Sequence, residues 1–276
     1  MSPSSEIKSK SGINFATAWL LAHIIYGLAP NASAASDVGA AHLMDILVGS
    51  YPDFLRGHTA TEILWKDGTR WSFDDGKGNK TFAERLEAPS LKDMFYDRYV
   101  SGHLTSLPSL NSDPGRARQD AFFTRMYGDC RKGDVKGNLV SLVWLPRKWG
   151  KKIEVTRING MAAKLKEVSA ELDTLPAEFD KYLFPLGGTY NCRTIAGTTR
   201  RSAHATASAI DLNPKYSSYW LWSPARKQLN DPNEVPQEIV DIFERHGFIW
   251  GGKWFHFDTM HFEYRPEIIA AGKQSP

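Results

Sequence analysis

The chain has 276 residues, enough for one medium-sized domain or two small ones. Hydrophobic residues make up 42% of it and charged residues 24%, a globular composition that excludes a disordered chain. Its net charge is only +3 and no dense lysine and arginine stripe is present, which argues against nucleic-acid binding.

The N-terminus has the layout of a secretory signal peptide. Lysines precede a mainly apolar stretch at 13–28, and Ala-Ser-Ala at 32–34 forms a small-x-small cleavage signature. We therefore expect residues 1–34 to be removed and the mature protein to be periplasmic or secreted. An uncleaved membrane anchor is the alternative, but His23 makes the apolar run poor for a span of about 20 residues. No later stretch could cross a membrane.

Residues 35–130 are predicted to form a loop-rich N-terminal region. Asp-Gly turn signals predict hairpin strands such as 62–66. A short helix is predicted at 90–99, and the polar, Pro-Gly-containing segment 109–120 is predicted to be a loop or lid.

Two cysteines gain meaning from the predicted export. In an oxidising compartment Cys130 and Cys192 are expected to form a disulfide, and two buried free thiols are the alternative. Neither lies in a CxxC or Cys/His pattern, so a zinc role is not expected for them.

Residues 131–276 carry the clearest secondary-structure signals. The segments 139–145 and 152–158 read as a β-hairpin, and apolar residues recur at helical spacing over 161–175. Another helix is predicted at 236–245, between a proline and a glycine. Because strands and helices mix without a βαβ rhythm, the fold class is predicted to be α+β.

A first cluster of chemically active residues lies at 202–213. His204 and Asp211 stand close in sequence, and Asp211 falls in a segment that alternates as a strand. A carboxylate between apolar neighbours is costly to bury unless it is paired or binds a metal. Imidazole and carboxylate are both ordinary zinc ligands.

The second cluster lies at 251–263, where two histidines and two acids stand among aromatic residues. A catalytic zinc needs three protein ligands, an open position for water and a base. His204, Asp211 and His261 could supply the ligands and Asp258 the base. Strict strand alternation would place Asp258 and His261 on opposite faces, so a bulge or tight turn is required between them.

These two clusters resemble the zinc D-alanyl-D-alanine carboxypeptidase family, which includes vancomycin-resistance carboxypeptidases and phage L-alanyl-D-glutamate endopeptidases. The family signature, SxHxxGxAxD followed by an acid-x-x-His element ending in HFE, is similar to residues 202–211 and 258–263. Ala207 stands where the family usually has glycine, and it would shift the loop if that position needs φ > 0. The resemblance covers 186–267 and implies a Hedgehog/DD-peptidase-like catalytic domain, with a small antiparallel sheet and flanking helices, over 131–276.

The resemblance implies a Zn²⁺ site whose ligands are His204, Asp211 and His261. It also implies that Asp258 activates the zinc-bound water and that Ser202, which opens the first motif, contacts substrate. His256 would steady the oxyanion or the substrate, and the alternative is a packing histidine whose ring is satisfied. Glu263 would orient a ligand imidazole, and the alternative is a surface salt bridge.

The family also holds the substrate carboxylate with an arginine, a pairing that suits a planar guanidinium. We assign that role to Arg193, with Arg200 and Arg201 as rivals. Trp220 and Trp222 are expected either to line a substrate groove or simply to be buried.

The predicted function is zinc-dependent hydrolysis of stem-peptide bonds in bacterial peptidoglycan. The sequence leaves open whether a terminal D-alanine is trimmed or an internal bond, such as L-Ala–D-Glu, is cut. The alternative is a catalytically inactive module on the same fold that binds cell wall or a partner, as the Hedgehog domain, which resembles this fold, illustrates. Asp258 favours the enzyme, since a binding module does not need a base.

Overall fold

The computed structural model describes residues 32–222 and 235–273. The predicted signal peptide lies outside the described residues, except that its last three residues begin the first helix. Among the described residues, no helix is both long and apolar enough to span a membrane. Cleavage of the leader and export of the protein therefore stay predictions.

The described chain mixes short helices with short strands. Its α-helices are α1 (Ala32–Ser50), α2 (Phe82–Glu87), α3 (Asp120–Tyr127), α4 (Met161–Leu172), α5 (Asp180–Leu183), α6 (Gln237–Arg245) and α7 (Pro266–Gly272). Its strands are β1 (Leu55–His58), β2 (Glu62–Trp65), β3 (Arg70–Ser72), β4 (Leu139–Trp144), β5 (Lys151–Thr156), β6 (Ala209–Asp211), β7 (Phe248–Trp250) and β8 (His261–Tyr264). The sheets have the orders β1-β2-β3, β4-β5 and β6-β8-β7, and the paired strands are antiparallel. This architecture confirms the predicted α+β class with small antiparallel sheets.

The second half of the chain folds largely as its local patterns predict. Strands β4 and β5 form the predicted hairpin, and Gly150 in their connection adopts φ = +67°, which glycine tolerates without strain. Helix α4 has no solvent exposure at its four predicted apolar positions, Met161, Leu165, Val168 and Leu172. The helix ends earlier than 175, ahead of Pro176, whose ring cannot continue a helix. Helix α6 begins directly after Pro236, close to the predicted bounds.

The N-terminal region holds more regular structure than its turn signals predict. Helix α1 was not anticipated, whereas the predicted helix at 90–99 shrinks to one 3-10 turn at Lys92–Phe95. The predicted loop at 109–120 is irregular up to the start of α3. Together α1, the first sheet and α3 enclose a cluster that includes Met44, Leu47, Tyr51, Ile63, Trp65 and Phe122.

Buried polar contacts tie this region to the later part of the chain. Tyr51 donates a hydrogen bond to Glu267 in α7 at 2.6 Å, and Tyr99 donates one to Glu244 in α6 at 2.6 Å. Tyr99 also packs with Ile249 and other apolar side chains of the C-terminal segment. Segments on both sides of residue 131 therefore share buried contacts, while the predicted boundary between two regions stays a prediction.

Strand β8 occupies the centre of the third sheet and brings the two sequence clusters together. Its antiparallel pairing with β6 places Asp211 opposite His261 and Ala209 opposite Glu263. On its other side β8 pairs with β7. The apolar residues of this sheet pack on α4 and α6, so β8 holds its polar side chains on a rigid support.

Candidate metal centre

His204 reaches the sheet from a short 3-10 helix, Ala203–Thr206, that precedes β6. The side chain of Ser202 caps this helix by accepting a hydrogen bond from the backbone N–H of His204 at 3.3 Å. The next residue, Ala207, has φ = +55°, so the position where the family usually has glycine is indeed left-handed. The turn returns the chain into β6, which ends at Asp211.

Three side chains offer metal-binding atoms that all lie within 4.8 Å of one another: His204, Asp211 and His261. Asp211 Oδ2 lies 3.1 Å from His204 Nε2, and Asp211 Oδ1 lies 2.9 Å from His261 Nδ1. The two imidazole nitrogens are 3.3 Å apart. Donors around a tetrahedral zinc are expected about 3.3–3.6 Å apart, given ligand distances of about 2.0–2.2 Å, and the three separations here are at or slightly below that range. Two imidazoles and a carboxylate at these separations fit Zn²⁺.

The two histidines present opposite ring nitrogens to this centre, and their outer nitrogens face acceptors. His204 Nδ1 lies 2.7 Å from the carbonyl oxygen of Thr189, which can only accept, so Nδ1 carries the proton and Nε2 is left for a metal. His261 faces the centre through Nδ1, while its Nε2 lies 3.6 Å from Glu263 Oε2. Acceptors behind ligand imidazoles fix both the tautomer and the ring orientation.

Glu263 is held in turn by arginines and is almost completely buried. Arg118 donates to both carboxylate oxygens, from Nε at 2.6 Å and from Nη2. Arg265 Nη1 lies 3.5 Å from Glu263 Oε1. Burial alone would raise the pKa of Glu263, but the charge of Arg118, hydrogen bonding with His261 and Arg118, and the charge of Arg265 hold that pKa well below its usual range. Glu263 is therefore a buried anion behind the imidazole of His261, not a surface residue.

Asp258 lies in the turn that leads into β8. The backbone N–H of His261 donates to the carbonyl oxygen of Asp258 at 3.2 Å, which is the tight turn that the sequence requires between them. Burial raises the pKa of Asp258 to about 6, and the charge of His261 opposes this rise. Its Oδ1 is buried and has no hydrogen-bond partner among the described residues. A buried carboxylate oxygen that no protein donor satisfies is suited to accept from a water molecule.

These residues open into one cavity of about 360 Å³, which we call the metal cavity. Its lining includes the predicted residues Arg193, Ser202, His204, Asp211, Trp222, Asp258 and His261. It also includes Arg116 and Arg118, which the sequence interpretation missed. Both come from the segment predicted as a loop or lid, where a pair of arginines in a polar stretch was the available signal.

His256 lies outside the lining of the metal cavity. Its Nδ1 is 2.8 Å from Asp113 Oδ2, its ring stacks on Phe82 at 5.2 Å, and Trp220 packs edge-on at 4.8 Å. The ring is thus satisfied and enclosed, which agrees with the packing alternative for His256. The oxyanion role remains an untested prediction that this placement does not favour.

The three candidate arginines have different surroundings. Arg193 is exposed on the rim of the metal cavity, whereas Arg200 pairs with Glu87 at 2.9 Å and Arg201 pairs with Asp129 at 2.8 Å. Arg200 and Arg201 do not line the metal cavity. Among these three, Arg193 is the one that lines the metal cavity, and its role in binding a substrate carboxylate stays a prediction.

A disulfide joins Cys130 to Cys192, with Cα atoms 5.7 Å apart, which confirms the predicted bridge. Cys130 follows α3, and Cys192 directly precedes Arg193. The cross-link therefore anchors the loop that forms this side of the metal cavity.

Residues 196–264 match a family model described as D-alanyl-D-alanine carboxypeptidase. The matched range contains all three potential metal ligands together with Asp258 and Glu263, so it confirms the resemblance found in the sequence and indicates a peptidase. Arg116, Arg118 and Arg193 lie outside it. No curated protein and no solved structure matched the chain.

Proposed function

We propose that this chain, which carries the carboxypeptidase-family match at residues 196–264, is an exported zinc-dependent peptidase that hydrolyses stem-peptide bonds of bacterial peptidoglycan. The observation that carries the proposal is the convergence of His204, Asp211 and His261 beside Asp258 in one cavity. The matched family supports the substrate class. The disulfide and the leader-like N-terminus support export, because disulfides persist in oxidising compartments.

The protein supplies the ligand set and keeps it oriented. His204, Asp211 and His261 would hold the zinc, with Thr189 and Glu263 fixing the two imidazoles from behind. When bound, zinc would lower the pKa of a water molecule toward about 7 and polarise the peptide carbonyl. A zinc ion held by these three protein ligands would keep one coordination position for water, as catalytic zinc sites require.

Asp258 is the proposed base. Its buried, unpaired Oδ1 accepts a proton from the attacking water, whose oxygen bonds to the carbonyl carbon of the scissile peptide. As the C–N bond breaks, the same carboxyl group returns that proton to the leaving amine. A carboxyl whose pKa is raised toward neutrality can both accept and release a proton near pH 7.

Substrate would enter along a rim that combines charge with apolar surface. Arg193 offers its guanidinium to a substrate carboxylate, and Ser202 lies in the wall beside it. Trp222 and Leu221 line the same cavity and remain largely exposed, so they provide apolar contact for a peptide. This rim is compatible with trimming of a terminal D-alanine and with cleavage of an internal bond.

The test separates the base from the ligands. Asp258→Asn keeps the shape and removes the base, so it should retain zinc while turnover falls by roughly 10²–10⁴-fold. His261→Ala should lose both zinc and activity. Zinc content would be measured by elemental analysis, and release of D-alanine or peptide would be measured from purified peptidoglycan.

Asp53→Asn, at an exposed aspartate, serves as the matched control and should resemble the unsubstituted protein. Wild-type turnover in Asp258→Asn, or loss of its zinc, would refute the role assigned to Asp258. Stoichiometric zinc together with binding but no cleavage of peptidoglycan by the unsubstituted protein would instead favour the inactive binding module.

A further inference from the structure

A second cavity, of about 260 Å³, adjoins the metal cavity and is lined by four arginines: Arg116, Arg118, Arg200 and Arg201. We call it the arginine cavity. Arg116 and Arg118 line both cavities, so the two spaces share a wall. Because this shared wall is formed by two arginines, the arginine cavity is a candidate extension of the substrate site.

The cations of this cavity are far more buried than its anions. The four arginine side chains are 10% to 16% exposed. The two acids in the lining, Glu87 and Asp120, are 48% and 56% exposed. Water screens exposed charges much more than buried ones, so Glu87 and Asp120 offset the arginines less than two buried acids would.

Other acids compensate the arginines from outside the lining. Asp113 pairs with Arg116, Glu263 with Arg118, and Asp129 with Arg201. Together with the contacts of Arg200 with Glu87 and of Arg201 with Asp120, these three pairs allow four guanidinium groups to be buried together and hold their side chains in place. A purely structural ion-pair network is therefore the competing explanation, and it predicts no dependence on a ligand.

The arginine side chains have more N–H donors than these ion pairs use. A guanidinium carries five N–H donors. In the described structure, the hydrogen bonds from Arg200 to acceptors run from Nε to Glu87, and those from Arg116 run from Nη1. Burial lowers the pKa of Arg200, and the nearby charges of Arg116 and Arg118 lower it further. An anion placed between these groups would use the spare donors and relieve the repulsion.

The start of α3 adds to the same cavity. Gln119, Asp120 and Ala121 line it, and they form the N-cap and first turn of this eight-residue helix. Backbone N–H groups and the positive end of the helix dipole favour negative charge there.

We propose, on the basis of the proposed peptidase function, that the arginine cavity is a subsite for a second carboxylate of the substrate, so that acidic stem peptides are preferred to those amidated at that carboxylate. A carboxylate is planar and matches the guanidinium fork. Because Arg116 and Arg118 line both cavities, the proposal places the scissile bond of one peptide in the metal cavity and another of its carboxylates in the arginine cavity. Arg200 then determines specificity without touching the metal ligands.

The experiment compares two pairs of synthetic stem peptides. In one pair the α-carboxyl of D-glutamate is either free or a carboxamide, and in the other pair the carboxyl of the diamino acid varies in the same way. The unsubstituted protein is expected to favour the acid in at least one pair by about 10- to 100-fold in kcat/KM, the usual scale for charge-assisted hydrogen bonds. The difference should lie mainly in KM.

Arg200→Gln should reduce that preference to about twofold or less, and Arg200→Lys should leave an intermediate preference because it keeps the charge but not the fork. Since Glu87 is half-exposed, it can be hydrated when Arg200 is replaced, and the variant is expected to fold. Arg70→Gln is the matched control, because Arg70 is exposed and lines neither cavity. A preference near one in the unsubstituted protein for both pairs, or one that Arg200→Gln leaves intact, overturns the subsite.

Binding separates this inference from the proposed function. The same peptides would be titrated calorimetrically into Asp258→Asn, with and without Arg200→Gln. If Asp258→Asn binds the acid more tightly than the amide, and Arg200→Gln abolishes that difference, the subsite is supported. This holds even if the unsubstituted protein cleaves neither peptide, in which case only the peptidase function fails. If Asp258→Asn binds the acid and the amide equally, or binds neither, the subsite is overturned. If the unsubstituted protein nevertheless cleaves both peptides, the peptidase function still holds.

Discussion

Replacing Arg118 by methionine should destabilise the fold and weaken metal binding together. Arg118 makes a two-point contact with Glu263, which is buried behind the imidazole of His261. The substitution keeps an apolar chain of similar length but removes both donors. It leaves a buried carboxylate with Arg265 Nη1, at 3.5 Å, as its nearest remaining guanidinium.

The magnitude follows from the burial of both partners. Removing one partner of a buried ion pair costs about 3–5 kcal/mol. Because Arg265 still compensates part of the charge of Glu263, we expect about 3 kcal/mol. His261 would also lose its fixed acceptor, and loss of such support lowers metal affinity about 10- to 100-fold.

Two measurements check this expectation. Urea unfolding of the metal-free protein gives the change in the free energy of unfolding, and competition with a chromophoric chelator gives the zinc affinity. Arg118→Lys should fall between Arg118→Met and the unsubstituted protein, since it restores the charge without the fork. Adding Glu263→Gln to Arg118→Met should recover at least about 1 kcal/mol, because the unpaired charge disappears. An unchanged urea midpoint and an unchanged zinc affinity in Arg118→Met would show that Arg118 supports neither the fold nor the metal site.

Three further predictions concern stability and are all read from chemical unfolding. Ala207→Gly should change the free energy of unfolding by less than about 1 kcal/mol. Relief of the left-handed backbone strain should stabilise the protein by about 1–2 kcal/mol. Loss of a buried methyl group should destabilise it by about 0.8 kcal/mol, and the greater entropy of the unfolded chain by about 0.5–1 kcal/mol. A large change of either sign would contradict this balance. Reduction of the Cys130–Cys192 bridge should cost about 2–4 kcal/mol, and an equal midpoint with and without reductant would count against it. Burial raises the pKa of Tyr264 to about 12, so its contribution to stability is complete below pH 10 and is lost as the pH rises from about 10 through 12. Tyr264→Phe should make the alkaline decline shallower without abolishing it, because burial also raises the pKa values of Tyr51, Tyr99 and Tyr127; an unchanged decline would show that Tyr264 contributes nothing to it.

Local patterns were sufficient for the elements that depend on neighbours in sequence. The hairpin of β4 and β5, helix α4 and helix α6 all follow from residue spacing and from prolines and glycines at their ends. The turn between Asp258 and His261 was also required by the sequence, because strand alternation conflicts with a shared site. Helix α1 is not predicted from the sequence, because its residues are rich in alanine, serine and glycine and lack a clear apolar stripe.

Residue types at motif spacing are enough to predict the candidate centre, with His204, Asp211 and His261 as metal ligands and a turn at Asp258. The charged residues that surround this centre are recognised only in the folded chain. Arg118 comes from far earlier in the chain, yet it holds the acid behind His261, and Asp113 takes His256 away from the cavity. A buried charge needs a partner, but that partner can come from any part of the chain, so no spacing of residues in the sequence indicates which one it is.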